Sequence, residues 1–582
     1  MPSSRAFSRH LRFGAIALLL PLFLAVGCAQ LPKDVERPVS NALAAPADTP
    51  LGVLVQQRRG AEGTRFDSGF VLLSGPAAAY GSRLALIEAA QKTLDLQYYA
   101  IHADASTGRL LRGLVEAARR GVRVRVLLDD FHSTGRNALV MQLAFEPNIE
   151  MRMFNPVAGA RGSAFGRMFN ALGDFDRVQQ RMHNKLFIAD NAMGVTGGRN
   201  LGDAYFGIAQ TDNFVDLDVL AAGPIVQDMS RSFDSYWNNE RAYPVQSLVA
   251  HEDLLNIRDR VHAARVAQRE RDSNPDGAQP PNGEPRPSDA GPTDAQRAAA
   301  WDEKPLDLRT ATFVWAPAVM LADKPAKIAA EAGSAPDTAP PPGLVVTRPR
   351  TAGAARRLSA LADASASADG GETVVSGLLQ LIGQARTDLT IISPYFVPGP
   401  DMERAFAAAR ARGVRVRVLT NSLASNDAPI AHVGYARHRE ALLAMGVELY
   451  ELRSEQAGLG SAFGSSGASA TGESRSMLHS KVLVMDGQLL VVGSMNLDLR
   501  SQLQNTELAL LIRSAELSRV AIAQIESAMH KGSWHVEQTE GGLVWRAPTG
   551  SGLTDTRTEP DASVGLRLLL KLFGPLAPDE LL

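Results

Sequence analysis

The chain has 582 residues, too long for one hydrophobic core and enough for two or three domains. Apolar residues make up 45% and charged residues 21%, a globular balance, and the net charge of −2 argues against a nucleic-acid binder that relies on a basic surface. A single cysteine excludes an internal disulfide and a cysteine-based metal site.

That cysteine, Cys28, ends a stretch that opens with Arg5, Arg9 and Arg12 and continues with the apolar run 13–24. These are the charged and short apolar regions of a bacterial secretory signal, and the run is short for a membrane span. The tetrapeptide Ala25-Val26-Gly27-Cys28 resembles a lipobox, in which the cysteine is acylated and becomes the new N-terminus. Residues 1–28 therefore read as a lipoprotein-type signal peptide with Cys28 as lipid anchor; an uncleaved signal anchor is the alternative. Both readings put the protein at a membrane of the bacterial envelope, facing the periplasm as a lipoprotein, with inner and outer membrane both open. A lead segment, 29–75, follows.

The first half is expected over 76–250. An apolar and aromatic strand at 94–99 precedes a helix rich in alanine and arginine, which stops at Gly121. A strand follows with valines on one face and arginines on the other. The segment Glu116-Ala-Ala-Arg-Arg-Gly-Val-Arg-Val-Arg-Val-Leu127 returns as Ala408-Ala-Arg-Ala-Arg-Gly-Val-Arg-Val-Arg-Val-Leu419, again after an apolar strand, at 389–396, and with Gly413 as the stop. Strand, helix, strand with short connections predicts a parallel or mixed sheet covered by helices. The chain is thus read as α/β: two related halves, each a mixed β-sheet flanked by helices. Between them, 251–350 reads as a linker whose stretches 269–305 and 330–342 are Pro/Gly- or Ala/Pro-rich, mobile inserts by composition. The second half is expected over 351–548. A Gly/Ser/Ala insert at 458–472 reads as a tolerated surface loop, with a flexible lid as the alternative. The tail 549–582 is apolar beyond Val564, with Arg567 and Lys571 one helical turn apart; packing on the domain is the reading preferred to a helix in the membrane interface.

His183-Asn-Lys185-Leu-Phe-Ile-Ala-Asp190 and His479-Ser-Lys481-Val-Leu-Val-Met-Asp486 share one pattern, HxKxxxxD. Each is followed by a second matching piece, Gly197-Gly-Arg-Asn200 and Gly493-Ser-Met-Asn496, which puts the asparagine seventeen residues after the histidine in both copies. A lone His-x-Lys on a strand is more often a satisfied edge than a catalyst; duplication at equal spacing reverses that. Residues i and i+2 of a strand face one side, so each His and Lys share a pocket, while the odd offsets of Asp190 and Asp486 place them elsewhere. Both aspartates stand at turn formers, Asp190-Asn191 and Asp486-Gly487, and are read as structural. Each turn folds its segment back, bringing Arg199 and Asn200 beside His183, and Ser494 and Asn496 beside His479.

A phosphodiester anion needs positive charge and donors around its non-bridging oxygens. Lys185, Lys481, Asn200 and Asn496 supply both, with no metal and no cofactor. One near-neutral histidine can attack phosphorus while the other protonates the leaving alcohol and later deprotonates the incoming one. Because each half contributes one histidine, the single active site is expected at their interface. Each histidine also needs a partner on its far ring nitrogen. The carboxylate expected in the first half is Asp216, with Asp218 as the runner-up, and in the second half Glu507. His432 and His438 read as packing or surface residues, and Asp129-Asp130 as loop residues at a strand end.

These motifs are those of the phospholipase D superfamily, and the chain from about Gly81 to Trp545 resembles the bacterial cardiolipin synthases, most closely their C-type branch. The resemblance rests on blocks such as Leu94-Asp-Leu-Gln-Tyr-Tyr99, Arg181-Met-His-Asn-Lys185, Gly197-Gly-Arg-Asn-Leu-Gly-Asp-Ala-Tyr-Phe206, Gly434-Tyr-Ala-Arg437 and Leu499-Arg-Ser501. It implies a phosphohistidine intermediate without metal, phosphatidylglycerol as acceptor and phosphatidylethanolamine as donor, with His183 attacking and His479 as acid and base. Membrane phospholipids are thus the expected partners; no nucleic acid is expected and no protein partner is legible. Two alternatives stay open: a phospholipase D or phosphodiesterase that hydrolyses phospholipid or nucleic acid, and a catalytically silent lipoprotein scaffold of the envelope.

Overall fold

A computed structural model describes residues 31–158, 178–210, 212–273, 291–328, 344–347, 372–454 and 475–573. The signal segment with Cys28, the stretch 330–342 and the insert 458–472 lie outside the described residues.

Two mixed sheets carry the fold. The first runs, strand by strand, Val314–Trp315, Gly69–Leu73, Asp218–Ala222, Met193–Gly197, Leu186–Ala189, Thr93–Tyr98, Arg123–Asp129, Ile149–Phe154, Ala242–Pro244. The second repeats the centre of that order with Ala318–Asp323, Leu508–Arg513, Leu489–Gly493, Val482–Met485, Asp388–Ile392, Arg415–Asn421 and Glu448–Leu452, edged by Leu344–Val346 on one side and by Ser533–Thr539 and Gly542–Arg546 on the other. In both, the repeat segment forms the expected parallel pair, Thr93 opposite Arg123 and Asp388 opposite Arg415. The helices before those strands end at Gly121 and Gly413, whose φ of 94° and 83° suits a residue without Cβ.

Alternation along the motif strands divides three apolar layers. Leu186 and Ile188 point into a core shared by both sheets, whereas Phe187 and Ala189 point into the first half's own core. Val482 and Val484 enter the shared layer from the other side, with Leu483 and Met485 in the second half's core. The helices Pro224–Trp237 and Ala515–Gly532 complete the shared layer. Full burial of one such side chain contributes about 1.5–3 kcal/mol, so the halves stand as one folding body rather than two beads on a string.

The structure departs from the sequence reading in the linker and its first insert, and shows what the lead does. The stretch 251–350 is not a plain linker: Val314–Trp315 edges the first sheet, Ala318–Asp323 lies inside the second, and Tyr236 donates to the Asp323 carbonyl at 2.7 Å. Part of the supposed insert 269–305 is helical, Asp294–Asp302, started by a capping box between Thr293 and Gln296 and held through Trp301, over whose ring Arg109 and Arg112 lie. The lead 29–75 is folded too. It covers the arginine face of the first repeat strand, where Arg125 is buried against Asp95 and donates to the Ser40 carbonyl. Arginine on a strand suggests solvent, but each side-chain nitrogen of Arg125 has an acceptor.

In the tail, helix Val564–Phe573 packs Leu566 against Leu423 and Val433 while Val564, Leu568 and Leu572 stay exposed. Among the described residues no helix is long and apolar enough to cross a membrane.

Candidate active site

Two crossed strand pairings build the site. Strand Arg475–Leu478, just before His479, runs parallel to Asp212–Val215 of the first half, with Leu478 opposite Val215. A parallel bridge joins Met182, just before His183, to Thr506 of the second half. The register is the same in both: the residue before a histidine faces the residue before a carboxylate. His479 N–H donates to the Val215 carbonyl at 2.9 Å, and His183 N–H to the Thr506 carbonyl at 3.0 Å.

Each imidazole is therefore held by the opposite half. His183 Nδ1 lies 3.0 Å from both oxygens of Glu507, and His479 Nδ1 lies 2.8 Å from Asp216 Oδ2. Seeking a partner within each half finds the right two carboxylates and assigns them to the wrong histidines, since pairing between halves leaves no mark in either repeat alone. Asp218 instead meets Arg83 at 2.9 Å and Arg199 at 3.6 Å. With Nδ1–H donated to a carboxylate, the neutral ring presents the Nε2 lone pair on its other side.

Lys185 and Lys481 fold back onto the carbonyl of their own histidine, at 2.7 and 2.5 Å. Both ammonium groups are buried, and burial is the main reason their pKa values fall from 10.5 to about 7 for Lys185 and about 8 for Lys481. Burial, reinforced by the two lysine charges, also holds both histidines well below 6.5, so both are neutral at physiological pH. Burial pushes Glu507 up to about 7, and Asp216 upward as well.

Asn200 donates to the Tyr205 hydroxyl at 3.1 Å and accepts from Ala100 N–H at 3.2 Å, so only part of its amide is left for a ligand. Asn496 donates its backbone N–H to Ser501 Oγ, while its buried side-chain oxygen has no partner among the described residues. Ser494 does return toward the site, but its hydroxyl donates to Glu507 and so serves the first half's histidine.

Asp190 and Asp486 sit behind the site at the strand turns, with φ of 51° and 52°. Asp190 accepts the N–H groups of Gln91, Lys92 and Thr93; Asp486 accepts those of Arg386, Thr387 and Asp388. Each clamps its hairpin to the start of the central strand.

Asp129 is the last residue of its strand rather than a loop residue, while Asp130 stands at the bend that follows. Both are buried, and Asp129 accepts Met182 N–H at 2.9 Å and pairs with Arg181 at 3.4 Å, fixing the approach to His183. His432 is buried between Arg439 and Glu559, and His438 meets Glu403 at 2.8 Å, both away from this site.

The rings around the histidines escape sequence reasoning. Tyr99 stands edge-on to His183 at 5.0 Å, Tyr205 edge-on to His479 at 5.3 Å, and Phe214 at 5.1 Å from His479. Aromatic residues at strand ends carry no signal that separates a site wall from core packing. Arg500, whose charge acts on His183 and Tyr99, stands in the block Leu499-Arg-Ser501, where nothing marks it as facing the site. Among the described residues no group of three or more His, Cys, Asp or Glu is placed to hold a metal ion. The arrangement as a whole suits nucleophilic attack on an anionic phosphodiester, with a second imidazole for proton transfer and two ammonium groups for the oxygens.

Comparison with known proteins identifies the family. A family model described as "Cardiolipin synthase, PLD-like domain" matches residues 84–237 and 378–529. Cardiolipin synthase C of Escherichia coli (strain K12) is 32% identical over 527 residues, covering 87% of this chain and 94% of its own length. An uncharacterized protein of Helicobacter pylori (strain ATCC 700392 / 26695) is 30% identical, covering 97% and 99%. Cardiolipin synthase A of Pseudomonas entomophila (strain L48) is 25% identical and covers 76% of this chain. The crystal structure of phosphatidylserine synthase from Haemophilus influenzae shares the fold with a TM-score of 0.52 at 14% identity, covering 90% of this chain and 99% of that one. The chain belongs to the cardiolipin synthase family of phospholipase D-like phosphatidyltransferases.

Proposed function

We propose that the chain makes cardiolipin by passing a phosphatidyl group from phosphatidylethanolamine to phosphatidylglycerol through a phosphohistidine. The observation that carries this is the pair of neutral imidazoles, each fixed at Nδ1 by a carboxylate of the opposite half and accompanied by a buried lysine. His183 Nε2 attacks phosphorus, a P–N bond forms and the P–O bond to ethanolamine breaks as His479, which takes up a proton at Nε2 when the phosphodiester anion binds beside it, gives that oxygen the proton. The glycerol hydroxyl of phosphatidylglycerol then loses its proton to His479, attacks phosphorus and displaces His183. Lys185 and Lys481 hold the non-bridging oxygens throughout. Exchange of one phosphodiester for another is nearly balanced, so exclusion of water decides between synthesis and hydrolysis. Acylation at Cys28 would keep the protein on the membrane that supplies both lipids.

The test is a lipid assay in mixed micelles with labelled phosphatidylglycerol, with and without phosphatidylethanolamine, and with chelator present. Cardiolipin should rise with phosphatidylethanolamine, withstand chelator and disappear in His183→Ala. Phosphatidic acid as the sole product would instead make the protein a phospholipase. No turnover of any lipid would favour the nucleic-acid or scaffold readings.

A further inference from the structure

On the His479 side, the wall of the site carries a carboxylate that the transfer chemistry leaves unused. Asp427 accepts a hydrogen bond from the Tyr395 hydroxyl at 2.7 Å. Both residues stand on loops tied to the second motif. Tyr395 follows Ser393, whose Oγ accepts the N–H of Leu497, next to Asn496. Asp427 lies in the loop after Asn421, whose amide accepts from Leu478 N–H at 2.8 Å and donates to the Leu478 carbonyl at 2.9 Å, immediately before His479. The Asp427 charge reaches Lys481 and the Tyr205 hydroxyl, and the phenols of Tyr99, Tyr205 and Tyr395 are close enough to act on one another. Asp427 is exposed and forms no ion pair among the described residues.

A bare carboxylate at the mouth of an anion site is a liability, because it repels the phosphodiester that the two lysines attract. The cost vanishes when the substrate brings its own cation beside the phosphate. A primary ammonium can then donate to the carboxylate while lying against phenol rings, two interactions that reinforce each other away from bulk water. We propose that Asp427 and Tyr395, with Tyr205 and Tyr99 beside them, form the subsite for the cationic headgroup of the donor phospholipid, binding an ammonium carried two carbons from the leaving oxygen. This rests on the transfer reading above and sharpens it: the headgroup is held on the side of the histidine that must protonate it.

The experiment follows headgroup release by the full-length protein in mixed micelles, measuring ethanolamine from phosphatidylethanolamine and glycerol from phosphatidylglycerol. Asp427→Asn should lower kcat/KM for ethanolamine release about tenfold more than for glycerol release, chiefly through KM, as expected for loss of one charge-assisted contact. Tyr395→Phe, which keeps the ring and frees the carboxylate, should shift the same ratio about twofold to threefold. Asp427→Lys should reverse the preference toward glycerol, a change that damaged folding does not produce. If the wild type releases ethanolamine but Asp427→Asn and Asp427→Lys depress both reactions equally, the subsite is wrong and the transfer reading stands. If the wild type releases no ethanolamine, the donor reading itself fails and the subsite with it.

Discussion

In the first half Gly198 leaves room for a short carboxylate, Asp216; in the second, the matching Ser494 donates its hydroxyl to a longer one, Glu507. A Cβ at Gly198 would lie 2.5 Å from both Asp216 oxygens, whereas Ser494 and Ser501 use the extra reach of Glu507 to hold it with two hydroxyls. The strand ends differ in the same way. Asp129 and Asn421 occupy equivalent places, each accepting the N–H of the residue before a histidine. After them come Phe131-His132 in one half and Leu423-Ala424 in the other. His132 stands edge-on to Tyr99, and burial drives its pKa down to about 4. Duplication has kept the histidine, lysine and asparagine of each motif and let the surrounding side chains diverge.

Breaking the crossed pairs gives the largest effect. Asp216→Asn and Glu507→Gln keep the shape of the side chain but present an amide to Nδ1, so the histidine loses its fixed tautomer. Each should lower kcat on the order of 10²–10⁴-fold, as loss of a histidine-orienting carboxylate does in hydrolytic triads. The crossing itself becomes visible in which step is hurt. With His183 as nucleophile, Glu507→Gln should slow formation of the phosphohistidine, and Asp216→Asn should slow its breakdown and let it accumulate. Rapid quench followed by mass spectrometry of the His183 peptide reads both, and accumulation in Glu507→Gln rather than Asp216→Asn would reverse the assignment of roles.

Exchanging the small residues sharpens the contrast. Gly198→Ser should lower activity about 100-fold, because the new Cβ displaces Asp216 from His479 and misaligns the acid. Ser494→Gly removes a hydroxyl that donates to Glu507 and accepts from Leu508 N–H, a smaller disturbance that should cost about tenfold. Steady-state rates of the two variants, with thermal melts to confirm folding, decide the point. Equal losses would mean that the supports are interchangeable.

Much of this was legible in the chain, for reasons that differ by element. Strand parity puts His183 with Lys185 and sends Asp190 to the turn, because a period of two is local and exact. The repeat around Gly121 and Gly413 announces the parallel pairs. What sequence could not carry is contact between halves: Met182 beside Thr506 and Leu478 beside Val215 are distant in the chain and chemically bland. Composition misses the helix at 294–302, where capping outweighs a polar, proline-containing context, and the linker drawn over 251–350 takes in the apolar strands within 314–323. Arg125 was invisible as a buried residue because its acceptors, Asp95 and Ser40, come from another strand and from the lead.

The smallest expected effect separates the lysines. Lys185 is held down to about 7 and Lys481 to about 8, first by burial, with Glu507 pulling Lys185 back up and Asp216 doing the same for Lys481. The protonated form attracts the phosphodiester, so its benefit is present at lower pH and is lost as pH rises through each value. The wild-type profile of kcat/KM should therefore decline on the alkaline side from about pH 7, roughly tenfold per unit up to about 8 and toward a hundredfold per unit above it, where both lysines lose their protons. Arginine does not deprotonate in this range. Lys185→Arg should move the onset of the decline to about 8, the value of the remaining lysine. Lys481→Arg should leave the onset near 7 and flatten the limb above it. Profiles in which both variants shift alike would show that the two ammonium groups act as one charge, and that the asymmetry of the halves stops short of the phosphate.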